Sequence, residues 1–205
     1  MKNLKKTFFT LLLIPLFVVA DAEFTPPKNL LDVPSVTQST DYSCGAAALL
    51  SILYFYGERK LDEITLIKEL KSSPETGTEI EPIVEFAKTK GLTVVHKEKG
   101  TWDELKEHLA KKQVSLVSLQ AWDETSKEPN YIESWESGHY LVVIGMDENR
   151  IYFMDPASLG TRGYLEKQDF LSRWHDVGPT KNHLEQPVVF FTGTAKPPQI
   201  WARIP

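Results

Sequence analysis

One cysteine, Cys44, stands in a chain of 205 residues. A single thiol excludes an internal disulfide and any thiolate-rich zinc site, and the five histidines are scattered without zinc-ligand spacing. No P-loop and no glycine-rich dinucleotide fingerprint is present, so neither a nucleotide cofactor nor a metal is expected. Positive charge is also short. Lys and Arg total 23 against 28 Asp and Glu, a formal net charge of -5, so no basic field invites nucleic acid. Internal repeats and low-complexity tracts are missing too. With 41% hydrophobic and 11% aromatic residues, disorder is excluded for the bulk of the chain.

Long apolar runs are confined to the start. "MKNLKK" is a positive segment, "TFFTLLLIPLFVVA" is apolar, and Ala20 and Ala22 are small residues at cleavage-site positions. This is the pattern of a secretory signal peptide. An uncleaved anchor would want about 20 apolar residues, more than the run supplies. Residues 1–22 are therefore expected to be a removed signal peptide, and 23–205 a single domain. The expected location is secreted or periplasmic, with membrane contact only through the transient signal peptide.

Export makes the lone thiol informative. In an oxidising compartment an odd cysteine is paired between chains or is reactive, although a buried, inert cysteine is the plain alternative. After the turn-rich "VPSVTQSTDYS", the stretch "CGAAALLSILYFYG" predicts a buried helix beginning at Cys44 and stopped by Gly57, with Ser43 or Asp41 as its cap. "KLDEITLIKELKSS" and "TEIEPIVEFAKTKG" predict two more helices, the second capped by Thr78. "LTVVHK" reads as a strand, and "TWDELKEHLAKK" as a helix with a capping box between Thr101 and Glu104. Strands then dominate: "QVSLVSLQAW", "GHYLVVIGMD", "IYFMDP", "RGYLEK" and "QPVVFFTG", with a helix at "KQDFLSRWHD". Helices first and antiparallel strands after imply an α+β fold.

A thiol at a helix start sits where unpaired N–H groups and the helix dipole favour its ionised form. Gly45 and the alanines after it leave the backbone there uncrowded, or simply let the helix pass through a tight core. A nucleophilic thiol needs a base, and the base needs an orienter. His96, His108 and His183 read as surface residues, and His175 as a residue at the rim of a site. His139 opens a buried strand, and a tight turn at 148–149 brings it near Asp155 at the end of the next strand. Asp155 can then hold one imidazole nitrogen and leave the other to Cys44. Gln38, six residues before the cysteine, is a candidate oxyanion donor alongside the Cys44 backbone N–H. The long segment 123–137 ends just before Gly138-His139, beside the site.

Gln38, "DYSCGAAALLSILYFYG", "GHYLVVIGMDENRIYFMDP" and "EKQDFLSRWHD" together resemble the peptidases that process bacteriocin leaders. The resemblance covers roughly residues 30–193 and is strongest to free-standing, exported members. It implies a papain-like cysteine protease fold, with an N-terminal half that carries the nucleophile helix and a following antiparallel β-sheet half. It further implies Cys44 as nucleophile, His139 as general base and acid, Asp155 as orienter and Gln38 as oxyanion donor. The expected function is peptide-bond hydrolysis on a peptide or protein substrate without a cofactor. Two other readings use the same residues: another acyl-transfer enzyme (an amidase, a transpeptidase or a phytochelatin-synthase-like enzyme), and an inactive module that grips peptides.

Overall fold

The computed structural model describes residues 24–123, 127–157 and 162–196. Residues 1–22, expected to be a signal peptide, lie outside the described residues. In chain order the elements are α1 (Cys44–Phe55), α2 (Glu63–Glu69), α3 (Ile80–Thr89), β1 (Thr93–Lys97), α4 (Trp102–Ala110), β2 (Val114–Gln120), β3 (Gly138–Met146), β4 (Arg150–Met154), β5 (Arg162–Glu166), α5 (Lys167–Arg173), β6 (His175–Val177), β7 (His183–Glu185) and β8 (Val188–Thr192). None of the helices among the described residues is long and apolar enough to cross a membrane.

Six strands form one antiparallel sheet in the order β1-β8-β2-β3-β4-β5. The expected α+β class holds, with one refinement to the division into halves. β1 comes from the helical half yet pairs with β8, the last strand. Both faces of the sheet are covered. On one face Leu116, Val142, Ile144 and Met154 pack with α1 and α3 residues such as Leu49, Ile52 and Ile83. On the other, Val117, Leu119, Val143 and Phe153 pack with Leu105 of α4, Phe170 of α5 and Trp174. Central strands flanked on both sides must be apolar along their whole length. β2 is accordingly buried at every position, including its serines.

α1 is apolar all round because it is the central helix of one layer: every residue except Tyr54 is buried. Gly57 takes a φ of +99° just past its end, a conformation that suits glycine at a helix terminus. The expected caps fare unevenly. Thr101 accepts from the Glu104 N–H at 3.2 Å and donates to Glu104 Oε2 at 3.0 Å, a capping box closed from both ends. Thr78 does not cap α3. It is buried against Ser72 and the Tyr42 carbonyl, and Glu79 takes the cap position. Ser43 occupies the cap position of α1 but makes no side-chain cap bond: its hydroxyl oxygen accepts from the Thr40 N–H at 3.1 Å and its proton goes to Glu63 at 2.7 Å.

One feature had no counterpart in the sequence patterns. The segment read as the tail of a helix leaves α5 at Arg173 and continues as β6, which pairs with β7 in a separate two-stranded ribbon. The ribbon packs on β2 and β3. His183, expected on the surface, lies on it and stacks on Trp135 at 3.8 Å.

Candidate active site

The first helical bond of α1 runs from the Ala47 N–H to the Ser43 carbonyl at 3.0 Å. The amides of Cys44, Gly45 and Ala46 therefore have no partner within the helix, and no side chain caps them. Cys44 is at this end, 8% exposed, and opens onto a cleft of about 490 Å³. The small residues that follow it serve packing. A Cβ at Gly45 would stand 2.6 Å from Thr78 Cβ and 3.0 Å from the Tyr140 ring. Gly45→Ala is thus expected to destabilise the fold by about 1–3 kcal/mol through overpacking, despite alanine's better helix propensity. A lowered denaturant midpoint at unchanged slope would register it.

The β3–β4 hairpin brings the base to this helix end. Its turn closes with the Asp147 N–H on the Arg150 carbonyl at 2.9 Å. Val142 faces Met154, and a register shift between Val143 and Gly145 adjusts the pairing. His139, at the β3 start, and Asp155, just past β4, then meet: His139 Nε2 lies 2.8 Å from Asp155 Oδ1. Both residues are 5% exposed. The Cys44 thiol neighbours the same ring and favours its charged form, and since Nε2 is held by Asp155, Nδ1 is left to it. Burial alone would lower the His139 pKa. The Asp155 hydrogen bond and the Cys44 interaction outweigh it and raise the pKa to about 9.

Asp155 has more support than the sequence suggests. Burial pushes its carboxyl up, but the His139 interaction, the Ala157 N–H at 2.9 Å and the Trp122 indole N–H at 3.1 Å hold it below the ordinary carboxylate value. Trp122 was not singled out from the sequence. It follows β2, takes a φ of +58°, and so turns back towards Asp155. A non-glycine residue in that region is uncommon and merits attention, but periodicity does not encode it.

Gln38 is brought to the same end of the site by its backbone, whose N–H donates to the Pro156 carbonyl at 3.1 Å. Its side-chain amide nitrogen donates to the Thr40 carbonyl at 2.9 Å, which occupies one of its two N–H groups. Its Oε1 is buried without a hydrogen-bond partner. The next residue, Ser39, is anchored on Glu63 at 2.9 Å, as is the Ser43 hydroxyl at 2.7 Å. All four sequence-derived residues are therefore drawn to one region, with His139 bonded to Asp155 and neighboured by Cys44, and the Gln38 amide engaged within its own turn.

The remaining histidines divide. His175 is buried and donates to the Ser134 carbonyl at 2.8 Å, a rim hydrogen bond as expected. His108 is not a free surface residue. It bonds the Phe191 carbonyl at 3.0 Å, and burial pushes its pKa down. His96 lines the Cys44 cleft, with a buried Nε2 that has no partner. The end of the 123–137 segment forms a cleft wall through Trp135, which packs on His175 at 4.3 Å. Among the described residues, no cluster of three or more His, Cys, Asp or Glu is placed to hold a metal ion.

Known proteins share this architecture. A putative C39-like peptidase from Bacillus anthracis superposes with a TM-score of 0.60 at 18% identity, over 83% of this chain and 100% of that one. The peptidase domain of Streptococcus ComA, a bifunctional ABC transporter of a quorum-sensing pathway, gives 0.58 at 22% identity, over 79% and 99%. A double-glycine motif protease from an AMS/PCAT transporter, solved with its leader peptide, gives 0.53 at 16%, over 82% and 96%. In sequence, an uncharacterized protein of Methanothermobacter thermautotrophicus is 28% identical over 134 residues, which is 65% of this chain and 79% of that protein. The fold is that of the papain-like C39 peptidase domains. Residues 30–182 match the model of the Peptidase_C39 like family, and the chain belongs to that family.

Proposed function

We propose that this protein is an exported cysteine peptidase with Cys44, His139, Asp155 and Gln38 as its catalytic set. The observation that carries the reading is His139, held at 2.8 Å by Asp155 on one nitrogen and interacting with the Cys44 thiol through the rest of the ring. Family membership supports a peptidase, and the leader peptide bound to the double-glycine motif protease supports a peptide substrate. Export rests on the charged, apolar and small-residue pattern of residues 1–22.

In the proposed reaction His139 takes the Cys44 thiol proton and the sulfur attacks the scissile carbonyl carbon. The Cys44 backbone N–H, and the second N–H of the Gln38 amide after a small rotation, stabilise the oxyanion. The C–N bond breaks as imidazolium His139 protonates the leaving amine, which gives a thioester. Neutral His139 then takes a proton from water, whose oxygen attacks the thioester and releases the acid and the thiol. Asp155 stays ionised and fixes the ring orientation throughout.

The test is alkylation of the folded protein. One equivalent of iodoacetamide should modify Cys44 and abolish cleavage of a synthetic peptide library read by mass spectrometry. A thiol that reacts only after denaturation, or full turnover by alkylated protein, would sink the reading. Product masses with and without an added amine acceptor separate hydrolysis from acyl transfer.

A further inference from the structure

The proposed reaction leaves one enclosed carboxyl of the cleft without a role. Asp176 lies on β6 and lines the same cleft as Cys44. The Val177 N–H donates to its Oδ1 at 2.8 Å, and the Ser118 hydroxyl donates to its Oδ2. A Cβ at Gly138, the residue before His139, would collide with this carboxylate, so glycine there lets the acid press against the start of β3. Tyr140, on the same strand, lines the cleft together with Asp176 and Cys44.

An acid this enclosed ordinarily has a cation beside it. Among the described residues, no Lys or Arg forms an ion pair with Asp176. The adjoining His175 acts on it through charge, and this contribution is smaller than the effect of burial. Burial consequently pushes the Asp176 carboxyl up. The wider cleft adds no compensation, since Asp41, Glu75, Glu79 and Glu136 line it against Lys181. Asp176 nevertheless retains some exposure towards the cleft, so a stronger countercharge can arrive from there.

We propose that Asp176 is a specificity-determining residue that receives a cationic group of the substrate, either a Lys or Arg side chain or a free N-terminal ammonium, next to the reacting carbonyl. The inference rests on the peptidase reading and names its substrate class: peptides with positive charge beside the cleaved bond. A cation seated on Asp176 restores the charge balance of the buried acid. It also fixes the register of the peptide relative to Cys44.

The experiment uses synthetic peptides built around a Gly-Gly bond, with Lys, norleucine or Glu scanned at each flanking position. Each is made with a free and an acetylated N-terminus. Cleavage by the wild type and Asp176→Asn is measured, as is calorimetric binding to Cys44→Ala and to Cys44→Ala carrying Asp176→Asn. The wild type should favour the cationic peptide over the norleucine peptide by on the order of tenfold, the size of one charge-assisted hydrogen bond. That ratio should fall to near one in Asp176→Asn. The ratio is taken within each variant, so any loss of folded protein cancels. A wild type indifferent to the cation overturns the proposal. So does an Asp176→Asn variant that keeps the preference while losing activity towards all peptides equally, which is the mark of a purely structural acid. Acetylation removes the preference if the ammonium is the partner, and lysine substitution removes it if the side chain is. Preferential binding to Cys44→Ala, lost with Asp176→Asn, without cleavage by the wild type would sink the peptidase reading and overturn the role in cleavage specificity, leaving Asp176 as a cation-binding residue alone. Cleavage without preference would keep the peptidase reading and overturn this inference.

Discussion

Cys44→Ala is expected to lower the peptide-cleavage rate by a factor on the order of 10⁴ or more, the scale on which removing a covalent nucleophile acts. The fold should survive. The thiol is a small group at the end of α1, and the helix is held by Leu49, Leu50, Ile52 and Leu53 further along. Loss of one sulfur there costs about 1 kcal/mol. His139→Ala should reduce the rate by a similar factor, since without it the thiol has no proton partner and the leaving amine no donor. The double variant should be little worse than either single one, because the two residues act as a unit. Single-turnover cleavage measured beside thermal melts checks each point. Undiminished cleavage by folded Cys44→Ala would move the chemistry to another residue.

Asp155→Ala carries the second large effect, on rate and stability together. Its carboxylate supports the imidazole at 2.8 Å and is itself held by two further donors. Removing it leaves a buried ring with no orienter, and the rate should fall on the order of 10²- to 10⁴-fold. Breaking a buried charge pair by deleting one member costs about 3–5 kcal/mol. The pH dependence has a definite sign. His139 is raised from 6.5 to about 9 in the fold, so its contribution to stability is complete below 6.5 and is lost as pH rises through about 9. Asp155 is depressed below 3.8, so its contribution is present above that value and is lost in acid, as pH falls through the lower folded pKa. The imidazolium is the group that protonates the leaving amine, so the alkaline limb of kcat/KM should fall near pH 9. In Asp155→Ala the carboxylate no longer raises the His139 pKa while burial still lowers it, and the limb should move down from about pH 9 towards ordinary imidazole values. Rate profiles and melts across that range test this directly. An alkaline limb unmoved by the substitution would separate it from His139.

Much of this site was legible because its parts obey local rules. A cysteine ahead of a small-residue run marks a helix start. A hairpin with a tight turn allows the residues facing each other to be counted, and that count brought His139 to Asp155. What escaped depends on packing between distant segments. Trp122 reaches Asp155 only because its backbone turns left-handed after β2. The β6–β7 ribbon is three residues per strand, too short for a period to appear. His108 and His96 sit among charged neighbours in sequence, yet their rings turn inward, to the Phe191 carbonyl and to the cleft. Ser43 and Thr78 had the residue types of caps, but their hydroxyls found partners on other elements instead.

The distance along the chain between the two halves of the site has a consequence for how activity arises. His139 and Asp155 are separated by 16 residues and meet through a hairpin. Cys44 lies about 95 residues upstream of His139 and reaches it only when α1 packs on β3. Local hairpins close quickly, whereas long loops close late in folding. Loop-closure entropy thus favours the imidazole–carboxylate pair over its contact with the distant thiol, and in an unfolded chain Cys44 has neither the α1 helix end nor His139 beside it. On the proposed peptidase reading, competence requires α1 packed on β3, so the polypeptide is not expected to act on itself or its neighbours before it has folded.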